Sequence, residues 1–407
     1  MTETLYVHAG HLIDGTGAPC RRDVVLEVRG SRVLRVDPVR YAPRPEYAPL
    51  LDLSGCTVIP GLVDSHVHLV MSGAADPAVR ETQLLADYGQ ASPGIRERVA
   101  RHLAHGVTAV RDGGDRRSMA LRYRNEHALS SDGHVTLRCA GRAWHAPDRY
   151  GKLIGRRPGP AGLAAEVADA CARPDGPDHV KIVGSGLNSL IHFGRQTTPQ
   201  FDQRELSAAV LAARAAGRGT MVHVNGEGPV RTAVLAGAAS IEHGFFMGRE
   251  NLALMADRSV FWCPTACTMQ AYAQTLAPGS SHAKVALRTL EHQLEQMALA
   301  RELCVTTVTG TDSGSLGVHH GRSLRMEMGL FVRAGYSLEQ AVRSATTLGA
   351  ELLGLPEAAR GLVSGGTATL VAAPGSPREL IASLAAPRLV MVEGAIVREG
   401  RETDIEP

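Results

Sequence analysis

Pro60-Gly61-Leu62-Val63-Asp64-Ser65-His66-Val67-His68 runs from an apolar segment into two histidines one residue apart. The apolar run Thr57–Val63 reads as a strand, and on an extended chain residues i and i+2 share a face, so His66 and His68 project together. Two imidazoles side by side at the C-terminal end of a strand are suitable donors for a divalent metal. Taken alone, the pair reads more readily as two surface histidines. Outward from it, the same arrangement recurs. Strand-like runs are predicted at Val107–Arg111, Val135–Cys139, His179–Val183, Thr220–Val224, Ser240–His243, Val260–Cys263 and Val305–Thr309. Helical patterns fall between several of them, over Gly94–His105, Gly162–Ala172, Gln203–Ala216 and Ala283–Leu303, and one helix is expected over Leu338–Leu353 after the last strand. Alternation of this kind predicts an α/β fold, a (β/α)8 barrel in the manner of triosephosphate isomerase. No Gly-x-Gly-x-x-Gly follows the first strand, which weakens a dinucleotide-binding alternative. Lys181, His223, His243 and Asp312 stand at or just after the ends of four other predicted strands. The C-terminal strand ends are the face where barrels keep their active sites, so these side chains converge with His66 and His68 on one cavity.

Both chain ends differ from this middle. Thr4–Val7, Asp23–Val28 and Arg32–Val36 near the start, and Ala368–Ala372, Arg388–Val392 and Ala395–Val397 near the end, are short alternating segments with turns between them. The expected division is a discontinuous β-sandwich domain of residues 1–58 and 364–407 around a metal-binding barrel of residues 59–363. The 407 residues are 44% hydrophobic, with 43 basic against 41 acidic side chains, a formal net charge of +2. Such a composition excludes intrinsic disorder and offers no electrostatic case for a nucleic-acid or membrane partner. No apolar run approaches a membrane span, the start does not read as a signal peptide, and the seven cysteines form no Cys-x-x-Cys; a cytoplasmic protein is expected. Of the 43 basic residues only Lys152, Lys181 and Lys284 are lysine.

The quoted stretch, His-Val-Lys-Ile-Val-Gly-Ser-Gly from His179, Met-Val-His-Val-Asn-Gly from Met221, Ser-Ile-Glu-His-Gly from Ser240 and Gly-Thr-Asp-Ser-Gly from Gly310 resemble the amidohydrolase superfamily. The likeness extends over nearly the whole chain and is greatest to its prolidase and imidazolonepropionase-like group. It implies a hydrolase acting on carbon–nitrogen bonds, a metal-dependent amidohydrolase that cleaves an amide or peptide-like bond of a small molecule. The implied ligands of one metal are His66, His68, Lys181 and Asp312, and those of a second are Lys181, His223 and His243. A protonated lysine cannot bind a cation, but a neutral one can take up CO2 to form a carbamate, an anion with two oxygens that bridges two metals. Lysine is tuned toward the neutral amine by burial, whereas arginine stays charged, which gives a reason for a lysine at this place in an arginine-rich chain. The implied cofactors are therefore two divalent cations, zinc suiting the His-rich set, and a carboxylated Lys181. A metal-bridging hydroxide would attack the carbonyl, with Asp312 taking its proton and passing it to the leaving nitrogen.

His145 after the third strand, His320 in the loop beyond Asp312, and Tyr272 are the candidate substrate contacts; of the adjacent His319 and His320, the second is favoured and the first is expected to be solvated. Mononuclear deaminases of the superfamily carry Glu three residues after the fifth-strand histidine, whereas here Gly226 stands at that place and Glu227 one further on. A metal-dependent deaminase of a heterocycle is thus the alternative, a non-catalytic scaffold the remote one, and a lactonase or phosphotriesterase is disfavoured by the β-rich arm before the His pair. Thr369 replaces an acidic residue common in relatives. Residues 186–199 and 265–281 match no known specificity, so the substrate stays open. The resemblance also implies a homo-oligomer.

Overall fold

The chain passes from one β-sheet to another at Gly61. The computed structural model describes residues 4–42, 48–127 and 134–400. It begins with β1 (Thr4–Leu12), β2 (Arg21–Arg29), β3 (Arg32–Pro38) and β4 (Leu50–Pro60), and β5 (Leu62–Val67) starts after a single residue. The sequence predicts one strand over Thr57–Val63; the structure has two, because the Gly61 amide donates to the Thr369 carbonyl and the Leu62 amide to that of Gly106. A Cβ on Gly61 would stand 2.3 Å from Thr108 Oγ1 and 2.7 Å from Thr369 Cγ2, so the crossing has no room for a side chain.

The parallel strands follow. β5 pairs with β6 (Val107–Asp112), and β6 with β7 (Thr136–Cys139). A second parallel sheet contains β8 (Ala143–Trp144), β9 (Gly155–Arg156), β10 (Val180–Val183), β11 (Thr220–Val224), β12 (Ser240–His243) and β13 (Phe261–Cys263), in the order β13-β12-β11-β10-β8-β9. Every residue of β5, β6, β10, β11 and β12 is buried, as expected of parallel strands covered on both faces. Residues 305–309, predicted as a strand, are irregular. They nevertheless lie between the two sheets. Thr307 bridges Trp262 of β13, Ser313 bridges Val67 of β5, and the Ser65 amide donates to the Thr309 carbonyl at 3.0 Å. On the other side the Asp178 amide, just before β10, donates to the Cys139 carbonyl of β7 at 3.0 Å.

The flanking helices carry their own start signals. Asp87 and Gln90 form a capping box on the helix Tyr88–Ala104, as do Asp202 and Glu205 on Gln203–Ala215. The first begins six residues before its predicted start at Gly94, since the Asp87 cap outweighs the one helical bond that Pro93 removes. The helix predicted over Leu338–Leu353 is two, Leu338–Ser344 and Thr347–Leu352. Thr346 leaves helical geometry between them (φ −136°, ψ −90°), and the Ala345 carbonyl accepts from the Val63 amide of β5.

β14 (Leu370–Pro374), β15 (Leu389–Val392) and β16 (Ala395–Glu399) return to the first strands in a seven-stranded sheet ordered β16-β15-β14-β4-β1-β2-β3, parallel only between β1 and β4. Val7, Leu26, Val58, Leu370 and Met391 are in its buried apolar cluster. The two β-rich ends thus share one sheet, their outermost residues 1–3 and 401–407 lying outside the described residues. All seven cysteines are unpaired, and among the described residues no helix is long and apolar enough to cross a membrane.

Candidate metal centre

The β5 segment and the Asp312 loop are fastened together by one buried carboxylate. Asp64 Oδ1 accepts from the Thr311 amide (2.9 Å) and Oδ2 from the Thr311 hydroxyl (2.7 Å). The Asp312 amide in turn donates to the His66 carbonyl at 2.7 Å. This lacing brings Asp312 Oδ1 to 3.5 Å from His66 Nε2 and 3.4 Å from His68 Nε2. Lys181 reaches up from β10, its Nζ 3.3 Å from His66 Nε2. In the strand register Val183 is level with His223, and Val224 with His243, so both histidines stand at the same end as His66. The His223 and His243 rings are 4.6 Å apart, and that of His243 is 5.1 Å from His66. The six residues predicted as ligands are therefore gathered in one place.

Each imidazole is oriented by its other nitrogen. His68 Nδ1 meets the Gly114 carbonyl at 2.8 Å and His243 Nδ1 the Thr265 hydroxyl at 2.7 Å, leaving Nε2 to face the cluster. His223 is reversed: Nε2 lies 3.3 Å from the Gly186 carbonyl, leaving Nδ1. Partners of this kind fix the tautomer of a metal-binding histidine. Two of the gathered residues have left-handed backbones, His243 at φ +66° and Asp312 at φ +59°, a conformation that non-glycine residues adopt where the surroundings hold them. For His243 the hold is visible: its carbonyl accepts from Trp262 Nε1 (3.0 Å) and Gln293 Nε2 (2.7 Å).

Burial sets the electrostatics. It lowers Lys181 to about 8 and holds His68 at about 4 and His223 at about 3, with the Lys181 charge adding to both histidine shifts. It raises Asp312 to about 7, against a hydrogen bond from Ser315, whose hydroxyl donates to Oδ2 at 2.8 Å. The imidazoles are thus neutral donors at neutral pH, the form a metal requires.

A divalent cation fits this donor set. The donor atoms of His66, His68 and Asp312 all lie within 4.8 Å of one another. Gly113 leaves the room beside them: a Cβ there would stand 2.8 Å from His68 Cε1 and 3.2 Å from His66 Nε2. His66, Glu242 and Cys263 form a second close group, but Arg111 lies on its carboxylate, which opposes a cation there.

The predicted substrate contacts fare unevenly. Tyr272, on the helix Cys267–Thr275, lies near Asp312; burial first and the Asp312 charge second push its hydroxyl up to about 12. His145 is buried with Nδ1 toward the Ala146 carbonyl at 2.9 Å, and Gly151 packs against it. His320 departs from expectation. Its Nδ1 meets His102 Nε2 at 3.1 Å and its Nε2 the Met71 carbonyl at 2.7 Å, so both ring nitrogens are used within the protein and neither is left for a substrate. His319 is exposed.

Three further residues were not singled out from the sequence. Tyr150 packs its ring on His223 with centroids 5.4 Å apart. Glu242 and Arg111, both buried, pair at 2.6 Å beneath His66, and Glu242 Oε2 lies 2.9 Å from His66 Nδ1. The Glu242 carboxyl is held below its usual range because Arg111 and Lys181 outweigh its burial. A signal for this pair was present: an acid in the strand Ser-Ile-Glu-His and a base in Val-Thr-Ala-Val-Arg-Asp are opposite charges in apolar strands, and buried charges need partners. Away from the cluster, a cavity of about 460 Å³ is bordered by Arg214, Arg218 and Arg258. These arginines stand at or just beyond helix C-termini, where guanidinium groups offset the carbonyl dipoles.

A sequence profile described as the amidohydrolase family matches residues 57–397. The imidazolonepropionase of Salinispora arenicola is 29% identical over 270 residues, 60% of this chain, and the match spans 64% of that relative's length. An uncharacterised protein of Mycobacterium tuberculosis is 27% identical over 353 residues, 84% of this chain and 85% of its own. Among solved structures, that of a Xaa-Pro dipeptidase with bound methionine in the active site is similar at a TM-score of 0.82 and 26% identity, covering 98% of this chain and 100% of that one. The A. niger ochratoxinase has the same fold, with a TM-score of 0.79 at 20% identity over 98% of both chains.

Proposed function

The chain belongs to the amidohydrolase family, and from that premise we propose that it is a metal-dependent hydrolase of an amide or peptide-like carbon–nitrogen bond in a small molecule. The observation that carries this reading is the meeting of His66 Nε2, His68 Nε2, Asp312 Oδ1 and Lys181 Nζ within 3.3–3.5 Å contacts. The two parallel sheets, with residues 305–313 between them, are read as one (β/α)8 barrel of residues 59–363, and the seven-stranded sheet as part of a β-sandwich domain of residues 1–58 and 364–407.

His66, His68, Lys181 and Asp312 hold one divalent cation, and Lys181, His223 and His243 a second, with zinc suited to the nitrogen-rich set. When bound, such cations lower the pKa of water and polarise a carbonyl. Lys181 serves both sites as a carbamate. Burial lowers it to about 8, so a fraction is the free amine at neutral pH, and that amine adds to CO2 with loss of a proton. Asp312, its Oδ2 held by Ser315, takes a proton from the attacking water and delivers it to the departing nitrogen. Tyr272, near Asp312, borders the place where the substrate lies.

The relatives direct the search for that substrate: one is named for imidazolonepropionate chemistry, and another is a dipeptidase with an amino acid bound in its active site. Metal-loaded protein should be screened against dipeptides, N-acyl amino acids and cyclic amides, with released amine and ammonia both measured. Release of an amine or amino acid is the expected result. Ammonia from a heterocycle would instead establish a deaminase, and a protein that neither binds metal nor turns over any substrate would be a scaffold.

A further inference from the structure

The two nitrogens of His66 face different surroundings. Nε2 faces Lys181 and Asp312 at 3.3 and 3.5 Å. Nδ1 faces inward, 2.9 Å from Glu242 Oε2. Both Nδ1 and Oε2 are buried, and neither makes an aligned hydrogen bond among the described residues, with each other or with any further group, so this 2.9 Å approach is the polar contact left to either atom. The other carboxylate oxygen is already committed. Glu242 Oε1 accepts from Arg111 Nη2 at 2.6 Å and from the Ser240 hydroxyl. Arg111 is itself fixed, its Nε donating to the Ser65 carbonyl, next to His66, at 2.8 Å.

We infer that Glu242, oriented by Arg111, is a positioning residue that keeps the His66 proton on Nδ1 and so presents the Nε2 lone pair to the metal. The inference rests on His66 being a metal ligand, as proposed above. A carboxylate has no proton of its own, so His66 must be the donor in this contact. A lone pair then remains on Nε2, the side from which Lys181 and Asp312 approach. Arg111 gives the arrangement its direction. By claiming Oε1 it leaves Oε2 for the imidazole, and it offsets the cost of a buried carboxylate.

The chemistry makes a specific demand on Glu242→Gln. Arg111 has only donors, so the Gln oxygen must face it, and the Gln NH2 must then face His66 Nδ1. The imidazole is forced to the other tautomer, with its proton on Nε2, where it cannot bind a cation. Zinc affinity, measured by chelator competition without reference to activity, should fall about 10–100-fold. In the double variant Arg111→Met with Glu242→Gln the amide is free to turn its oxygen to Nδ1, and affinity should recover above that of the single variant. A merely structural ion pair predicts the opposite: the double variant binds no more tightly than Glu242→Gln, and that result would overturn the inference.

If the variants do not fold, the tautomer decides the matter in the wild-type, metal-free protein. Selective 15N-histidine labelling, with the His66 signals assigned by their loss in His66→Asn, should show the proton on Nδ1; a proton on Nε2 overturns the inference. His66→Asn also separates the two levels of the account. Unchanged zinc binding in it refutes His66 as a ligand, whereas weakened binding there with normal binding in Glu242→Gln refutes the role of Glu242 alone.

Discussion

Lys181 Nζ lies 3.3 Å from His66 Nε2 in a fully buried setting that lowers the lysine to about 8. As an ammonium, Lys181 donates to the same Nε2 lone pair that His66 would offer to a metal. The proposed carbamate relieves the conflict by making Lys181 an anion. Lys181→Ala should therefore lose most activity, with partial rescue by short carboxylic acids that occupy the vacated space. Lys181→Arg should not be rescued, because its guanidinium remains charged beside the metals. Steady-state rates with and without added acetate make the test; near-normal activity in Lys181→Ala contradicts the assignment.

Asp312→Asn keeps an oxygen toward His66 and His68 but cannot accept a proton. Turnover should drop about 10²–10⁴-fold, the usual contribution of a positioned acid–base group, while much of the zinc remains bound. Rate and metal content measured on the same preparation check this together. A variant that keeps near-wild-type turnover removes Asp312 from the role of base.

Gly113→Ala should weaken metal binding with the fold retained. The added methyl would meet His68 Cε1 at 2.8 Å and His66 Nε2 at 3.2 Å, so it crowds the donor atoms themselves. Overpacking of this kind costs about 1–3 kcal/mol, read here as a loss of zinc affinity by chelator competition. Unaltered affinity would mean that the cation does not lie on this side of the histidines.

Glu327 gives a pH dependence outside the cluster. Its buried carboxylate accepts from the Ala266 and Cys267 amides at 3.1 and 2.7 Å, and burial raises it from 4.5 to about 7. Between those values the folded chain holds a proton that the unfolded chain has released. Its contribution to stability is therefore present below pH 4.5 and is lost as pH rises through 7. Relative to Glu327→Gln, which does not titrate, the wild type should lose up to about 3 kcal/mol across this window. Urea unfolding of both proteins at several pH values measures the difference, and a difference independent of pH refutes the shift.

Much of this centre could be read from the chain because metal ligands must be particular residue types at strand ends. His66, His68, Lys181, His223, His243 and Asp312 were visible as polar residues ending apolar runs, and the structure gathers them. What escaped depends on contacts between distant segments. His320 follows Asp312 closely in sequence, yet His102, on the helix Tyr88–Ala104, claims one of its nitrogens. The split of the Thr57–Val63 strand is decided by Thr369, more than three hundred residues away, which takes the Gly61 amide into a different sheet. Residues 305–309 have strand-forming composition, but Gly310 is wedged against Cys263 Sγ and His66, and the pairing there reduces to isolated bridges.

The most direct measurement is the metal content of the intact protein, purified without chelator and incubated with zinc and bicarbonate. Two cations share the bridging Lys181 in the proposed centre, so elemental analysis should give about two metals per chain. A stoichiometry that never exceeds one under these conditions would contradict the binuclear centre.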